Sequence, residues 1–276
     1  MTSVRMAQPV DASAQALKRR FALAAVWVAV GLFLGMLLFL EVGRQLGEHQ
    51  VALYGAQGRH GVGVADGVVF SLTALLLGFA FSGATNRFDQ RRQLIANEAN
   101  AAGTAWQRID ALASDAQGEI RDSFRRYVDE LIAWYAGAAG AAEALREPAG
   151  VSRAQNDLWS RSVAACLTPQ GEKARMLLLP SLNEMFGAVE KERMARRNHP
   201  PRVIYLMLVV AGMASALFAG YALAGGPNRP WLYMLGVATA IGLTVYVILQ
   251  LEFPRLGLVG VDDMDEALAE LRATLK

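Results

Sequence analysis

The sequence is poor in the residues that build reactive or cross-linked sites, with one cysteine and three histidines among 276 residues. The single cysteine, Cys166, excludes an internal disulfide and a multi-cysteine metal site, and we expect it to be buried as a small apolar side chain. The histidines, His49, His60 and His199, are scattered in no zinc-binding pattern. No GxSxG, HExxH or P-loop motif occurs. The sequence therefore predicts neither an enzyme nor a metalloprotein, and no cofactor is expected.

The sequence also lacks an excess of charge of either sign. Its net charge is +2 and its basic residues are almost all arginine, so nothing suggests a nucleic-acid partner. The nearest approach to a carboxylate constellation is Glu98 with Asp89 and Asp110. On a helix surface such carboxylates usually pair with neighbouring arginines, and Arg91, Arg92 and Arg108 are available.

Long apolar segments are what the sequence has in abundance, since 54% of its residues are hydrophobic. A helix needs about 20 apolar residues to cross a hydrocarbon core of ~30 Å. Segments of this length and character lie at 21–40, 67–84, 203–223 and 231–251. The sequence thus predicts an all-α membrane protein with four transmembrane helices.

The second apolar segment continues into a polar helix. Between Ala84 and Ala102 the sequence has neither glycine nor proline, so we expect one uninterrupted helix over 67–103 that leaves the membrane.

One face of this second span is partly small and polar. It carries Ser71, Leu75, Gly78 or Phe79, and Ser82 at helical spacing, which is a poor match for lipid. In one interpretation, symmetric copies of the chain surround an axis, this face lines a pore, and Leu75 and Phe79 form stacked apolar rings that gate by dewetting. In the other, the small residues only permit close packing inside a monomeric bundle. The residues alone leave both interpretations open.

The rest of the sequence predicts a helical domain between the second and third spans and a short tail. The expected segments are an N-terminal segment 1–20, spans one and two with an outer loop 21–85, a cytoplasmic helical domain 86–202, spans three and four 203–252, and a cytoplasmic tail 253–276.

Within these segments, glycine content and apolar periodicity predict the local structure. We expect a glycine-rich solvated loop over 41–66 and a tight turn at 225–230. In the helical domain, apolar spacing predicts helices over 104–145, 151–167 and 172–197, the last with Pro180 inside it. In the tail, the acidic run from Asp263 to Glu266 is typical of the start of a helix, here one that bears Leu268, Leu271 and Leu275.

Positive charge is concentrated on one side of the predicted membrane. The proposed outer loops hold only Arg44, Arg59 and Arg229, whereas lysines and arginines cluster on the opposite side at 18–20, 87–92 and 191–202. This asymmetry predicts that both termini and the helical domain are cytoplasmic.

A family resemblance lies in FSGATNRFDQRRQLIANEANAAGTAW, residues 81–106, in HPP at 199–201 and in FPRLGLVGVD at 253–262. With these segments the chain resembles the bestrophin-like family of bacterial membrane proteins, which is similar in turn to the bestrophin channels. Leu77-Gly78-Phe79, followed by Arg87 and Phe88, resembles the pore helix of those channels. The resemblance covers nearly the whole chain and implies a protein of the bacterial inner membrane.

The resemblance implies a pentameric, largely anion-conducting (chloride) channel whose copies surround the permeant ion. With the polar face of the second span, it implies a set of pore residues: Ser71, Leu75, Phe79 and Ser82 at the neck, Met176 at a cytoplasmic constriction, and Arg87, Arg91 and Glu98 at the cytoplasmic mouth. Ring edges of Phe79 and the nearby arginines favour anions, while Asp89 and Glu98 oppose them.

The sequence departs from the bestrophin pattern at several positions. Ser71 replaces an apolar neck residue, and Asp89 stands where bestrophins have a second aromatic. The acidic residues at 262–266 are better explained as a helix start than as a calcium site, so no calcium gate is expected. The alternative function is a non-conducting membrane scaffold or sensor, whose helical domain binds a partner protein.

Overall fold

The computed structural model describes residues 12–55, 62–137, 148–198, 200–224, 231–252 and 262–275. In these ranges the chain is helical and contains no β-strand. The helices are α1 (Ala12–Tyr54), α2 (Val62–Arg108), a 3-10 turn (Ile109–Ala111), α3 (Ser114–Gly137), α4 (Ala149–Cys166), α5 (Glu172–Arg197), α6 (Arg202–Ala222), α7 (Trp231–Glu252) and α8 (Asp262–Thr274).

The described residues divide into two compact units. The membrane unit takes its residues from Phe21–Arg87 and His199–Phe253. The second unit, here called the helical unit, takes its residues from Met1–Arg20, Phe88–Asn198 and Pro254–Lys276. Helix α2 belongs to both units, because it passes from the first to the second after Arg87.

Four helices are long and apolar enough to cross a membrane, and they include the four predicted spans. They are Ala22–Tyr54, Gly67–Ala111, Arg202–Ala222 and Trp231–Glu252, with mean hydropathies between 1.9 and 2.6. Only 17–33% of the most apolar stretch of each helix is buried within the chain. Large apolar side chains such as Trp27, Leu38 and Leu232 are therefore left on the outside. The protein is a multi-pass membrane protein.

The core of the membrane unit is mainly apolar, and it contains a hydrogen bond between α2 and α6. Met36, Leu40 and Ala238 are fully buried there. Thr73 of α2 and Ser215 of α6 are also buried, and their hydroxyl oxygens lie 2.7 Å apart in a hydrogen bond. Such bonds between membrane helices are stabilising because lipid offers no alternative partner. This contact fixes one face of α2 against α6.

Glycines let α1 and α6 approach each other closely. Gly43 and Gly47 of α1 are spaced as in a small-xxx-small motif. A Cβ added at Gly43 would lie within 3.0 Å of the Leu217 carbonyl, and one added at Gly220 would lie as close to the Leu40 carbonyl. Since these obstacles are backbone atoms, a side chain at either glycine requires the helices to separate.

We therefore expect Gly43→Ala to lower the thermal midpoint of the detergent-purified protein, by an overpacking cost of about 1–3 kcal/mol. Gly31→Ala is the matched control, because a Cβ there would meet nothing within 4 Å. The control should be neutral or slightly stabilising, since alanine favours helix more than glycine. Equal midpoints for the two variants would show that the close approach of α1 and α6 contributes nothing to stability.

The helical unit has its own apolar core, built from α3, α4, α5, α8 and the last turns of α2. Phe124, Tyr127 and Leu158 are among its fully buried side chains, and Leu268 and Leu275 add the C-terminal helix to it. Arg272 of α8 donates from Nε to Asp129 at 2.6 Å. This hydrogen bond raises the pKa of Arg272, although burial opposes it. The predicted C-terminal amphipathic helix is confirmed.

Cys166 lies in this core and is 2% exposed, as predicted for a small apolar residue. Burial raises the pKa of its thiol, and the charge of Arg175 opposes this only partly. The side chain is therefore a neutral thiol at pH 7 and is poorly suited to nucleophilic chemistry.

The predicted loop over 41–66 is wrong for most of its length, because α1 continues to Tyr54 and α2 begins at Val62. Beyond the predicted span 21–40, the helix is supported by ion pairs from Arg44 to Glu41 and to Glu48, one turn away on either side. Gly43 and Gly47, which suggested a loop, serve instead for close packing. His49 is exposed on α1, whereas His60, His199 and the predicted turn at 225–230 lie outside the described residues.

The predicted single helix over 104–145 is also wrong. Helix α2 ends at Arg108, a 3-10 turn follows, and α3 begins at Ser114. Leu112 is extended, with φ −75° and ψ 161°. The Gln117 side chain donates to the carbonyl oxygen of Leu112 at 2.8 Å. A buried side chain on each side of this corner, Ile109 and Ile120, fits the helical spacing, so apolar periodicity alone did not reveal the break.

Candidate pore-lining face of helix α2

The predicted neck residues lie on the face of α2 that the membrane unit leaves uncovered. Ser71 and Ser82 are exposed, and the side chains of Leu75 and Phe79 are 53% and 67% exposed. The opposite face of the helix packs inward through Thr73, Leu77 and Ala84. The helical period therefore separates a packed face from a free one, as the spacing of these residues predicted.

The glycines on this side of α2 have room around them in the described part of the chain. A Cβ added at Gly78 would meet nothing within 4 Å. One added at Gly83 would meet only the guanidinium of Arg87, one turn along the same helix, at 3.2 Å. Among the described residues, neither glycine therefore makes the close contact with another helix that the monomeric-bundle interpretation requires.

Phe79 is less tightly held than a core residue. Besides being largely exposed, it lines a cavity of about 220 Å³ between α2, α6 and α7. Leu76, Tyr205 and Ile248 are among the other lining side chains, and Arg87 lies at the same cavity. The ring of Phe79 thus has open space beside it within its own chain.

Arg87 is held by a buried carboxylate of α7. Its Nε donates to Oε2 of Glu252 at 2.9 Å, and the Glu252 side chain is 0% exposed while that of Arg87 is 26% exposed. Burying a carboxylate in an apolar environment has a large free-energy cost unless a cation is paired with it. Arg87 therefore compensates a charge inside its own unit.

Arg91 and Glu98 lie further along α2, and both are buried in the single chain. Arg91 is 8% exposed, and its guanidinium donates to the carbonyl oxygen of Asn198 at 3.4 Å. Glu98 is 1% exposed, and each of its carboxylate oxygens lies 3.0 Å from the hydroxyl of Tyr135. Both side chains are thus directed into the packing of the helical unit.

Met176 lies on α5, and its side chain is 79% exposed. Helix α5 runs through Pro180, which has no N–H to donate to the carbonyl of residue 176. One residue on, the carbonyl oxygen of Leu177 accepts from Arg108 at 3.2 Å. Pro180 therefore removes one helical hydrogen bond from the backbone carbonyl of the exposed Met176.

Sequence reasoning missed the partners of these residues. Glu252 and Tyr135 are 165 and 37 residues away from Arg87 and Glu98. The sequence did contain one indication, since Glu252 is the first charged residue after the long apolar run of α7. Within the described ranges, no group of three or more His, Cys, Asp or Glu residues could hold a metal ion.

Comparison with known proteins relates this arrangement to a family. Two crystal structures of a bacterial bestrophin homologue from Klebsiella pneumoniae, a tryptophan-to-alanine and a tyrosine-to-alanine variant, are similar to the chain. Their TM-scores are 0.60 and 0.58 at 16% and 17% identity, over 89% and 87% of this chain and 98% of each of theirs. At such identities the likeness shows the fold, and it confirms the predicted all-α, four-span architecture. Among curated proteins none matches.

The family itself is shown by a sequence comparison. The model of the bestrophin-like domain matches residues 59–264, which is more than half of the chain and includes α2, α5, α6 and α7. The predicted family resemblance is thereby confirmed, and the chain belongs to the bestrophin-like family.

Proposed function

We propose that this protein is an oligomeric ion channel in which α2 of each copy lines the conducting path. The observation that carries the proposal is the free face of α2, on which Ser71, Gly78 and Ser82 are exposed among the described residues. Small and polar side chains are a poor match for lipid, so contact with lipid does not explain this face. The four membrane helices of one chain are also too few to enclose a water-filled path. If several copies surround an axis, this face of α2 contacts water and neighbouring copies instead of lipid. Membership in the bestrophin-like family supports this function, and no catalytic activity is proposed.

In the proposed channel the exposed side chains of α2 form the neck. Leu75 and Phe79 supply apolar rings that gate by dewetting, and Ser71 and Ser82 supply hydroxyl groups on the same face. Met176, exposed on α5, supplies the cytoplasmic constriction. The resemblance to bestrophins supports a pentamer in the bacterial inner membrane.

The sequence predicted an anion as the permeant ion from Phe79 and from the arginines that follow it. We propose a preference for anions, and Phe79 and the arginines support this preference unequally. The ring edges of Phe79 carry partial positive charge. Arg87 is paired with Glu252 and Arg91 is buried, so both contribute less positive charge to the free face than their number suggests. The sign of the permeant ion then depends on the other charges of α2.

We propose that the helical unit lies in the cytoplasm, as the charge asymmetry of the sequence favours. In a Cys166→Ser background, a membrane-impermeant thiol reagent added outside should label His49→Cys, on the exposed surface of α1. The same reagent should reach Lys173→Cys, exposed on α5, only after the membrane is permeabilised. Labelling of the α5 position in intact cells would reverse the proposed orientation.

The channel is tested by ion flux from liposomes that contain the purified full chain, under a salt gradient. Light scattering on the same preparation gives the number of copies. We expect a symmetric oligomer and flux well above that of protein-free liposomes. A stable monomer without flux would contradict the channel and favour the alternative, a membrane scaffold or sensor whose helical unit binds a partner.

A further inference from the structure

The cavity of about 220 Å³ between α2, α6 and α7 extends from one end of the membrane spans into their apolar interior. Its lining begins at Arg87, where α2 leaves the membrane unit, and at Pro200, just before α6 starts. It reaches inward to Leu76 on α2 and to Leu208 on α6, which lie about two to three helical turns deeper. All the lining residues belong to the membrane unit, so this unit alone forms the cavity.

The cavity is suited to a hydrocarbon chain. Apart from Arg87 and the hydroxyl group of Tyr205, the side chains that line it are apolar. Two of them, Phe79 and Met207, are 67% and 44% exposed, so the cavity is open to the outside of the chain. An apolar cavity of about 150 Å³ binds a molecule of the size of benzene. This larger and open cavity therefore has room for a segment of an alkyl chain.

Positive charge lies at the end of the cavity where the spans end. Arg202, the first residue of α6, is exposed and follows the lining residue Pro200 by two positions. Within the described helix α6, the first turn holds no acidic residue, and no side chain caps the N-terminus. The first backbone N–H groups of α6 thus add positive potential to the guanidinium of Arg202. Arg87 also lines the cavity, but Glu252 balances its charge. An anionic group is therefore favoured beside Arg202.

We infer that this cavity binds one acyl chain of an anionic phospholipid and that Arg202 binds the phosphate of the same lipid. A phospholipid presents the two parts in the order that the site requires, with its chain in the apolar interior and its phosphate at the membrane boundary. Basic pockets between membrane helices bind anionic headgroups. A free phosphate ion would leave the apolar cavity unfilled, and a lipid without net charge would gain less from Arg202. The inference concerns a single chain and does not require the channel function proposed above.

The test is the thermal midpoint of the detergent-purified full chain at increasing concentrations of dioleoyl phosphatidylglycerol. A ligand that binds only the folded state raises the midpoint, and we expect a rise of about 5 °C near saturation. Dioleoyl phosphatidylcholine, which has the same chains without net charge, should have a much smaller effect, and inorganic phosphate alone should have none. Equal shifts from the two lipids, or the full shift from inorganic phosphate, would overturn the inference.

Two variants test the headgroup and the chain separately. Arg202→Gln should weaken the binding of phosphatidylglycerol about fivefold. Arg20→Gln is its matched control, because Arg20 is exposed on α1 and does not line the cavity, and this variant should bind like the wild type. Ala80→Leu extends a lining side chain into the cavity and should weaken the binding of both lipids about tenfold or more.

The midpoint of each variant without added lipid shows whether it is folded. Arg202 is exposed, so Arg202→Gln tests the site even if Ala80→Leu does not fold. The inference is overturned if Arg202→Gln and Arg20→Gln bind phosphatidylglycerol equally well. It is also overturned if a folded Ala80→Leu protein binds this lipid like the wild type, as it would if a neighbouring copy and not a lipid occupied the cavity.

Discussion

Replacing Leu75 and Phe79 together with alanine is expected to raise ion flux through the reconstituted protein by about tenfold or more. An apolar ring excludes water only while it is narrow, so shorter side chains admit water and remove the barrier. The variant should remain folded, because the two side chains are 53% and 67% exposed in the single chain and contribute little to its core. The measurement is the rate of flux from liposomes at equal protein content.

A matched control is available on a different helix. Leu38 and Phe39 are adjacent exposed residues of the same two types on α1, at 61% and 38% exposure. Their double alanine variant should conduct like the wild type. If Leu75 and Phe79 instead pack against a neighbouring copy, their truncation costs about 2–5 kcal/mol each, as in a core, and assembly fails without a gain in flux. Unchanged flux in a well-assembled double variant would also remove both residues from the neck.

Glu252→Gln is expected to cause the largest loss of stability among single substitutions of the polar residues in the membrane unit. The change leaves Arg87 beside an apolar cavity without its ion-pair partner. Breaking a buried pair costs about 3–5 kcal/mol, and the lower end applies because Arg87 is 26% exposed. This cost corresponds to a fall of roughly 10 °C in the thermal midpoint, which size-exclusion chromatography after heating can measure.

A double-mutant cycle can separate the interaction energy of Arg87 and Glu252 from the contributions of their surroundings. Arg87→Met alone should also destabilise, because it leaves a buried carboxylate behind. The double variant should then lose less stability than the sum of the two single changes. Asp122→Asn is the control, since its pair with Arg125 lies on the surface, with Asp122 69% exposed, and such pairs are worth under about 1 kcal/mol. A Glu252→Gln protein as stable as this control would mean that the pair does not stabilise the fold.

Local properties of the chain determined much of the architecture. Apolar runs of about 20 residues allow few structures other than membrane helices, because every backbone group in lipid needs a partner within the helix. The absence of glycine and proline after Ala84 likewise determined that α2 leaves the span as one helix. The separation of Ser71 and Leu75 from the packed face also followed from the helical period alone, which requires no knowledge of distant contacts.

Other features were decided only when distant segments came together. Residues 41–54 of the predicted loop belong to α1, where α6 supplies a surface that only glycines can approach closely. Composition does not reveal such a surface. The break after Arg108 depends on a hydrogen bond from Gln117 and on the packing of the helical unit.

The charges of α2 are the clearest case of this division. Arg87, Asp89 and Arg91 are close in sequence. By composition they form a basic segment with one acidic residue. The tertiary structure binds Arg87 to Glu252, 165 residues away, buries Arg91 beside Asn198, and leaves Asp89 exposed. The sequence by itself determined where the helix crosses the membrane and which residues share its faces. Only the tertiary structure decided which of its charges remain available to an ion, because a buried charge requires a partner and a helix is surrounded by partners from the whole fold.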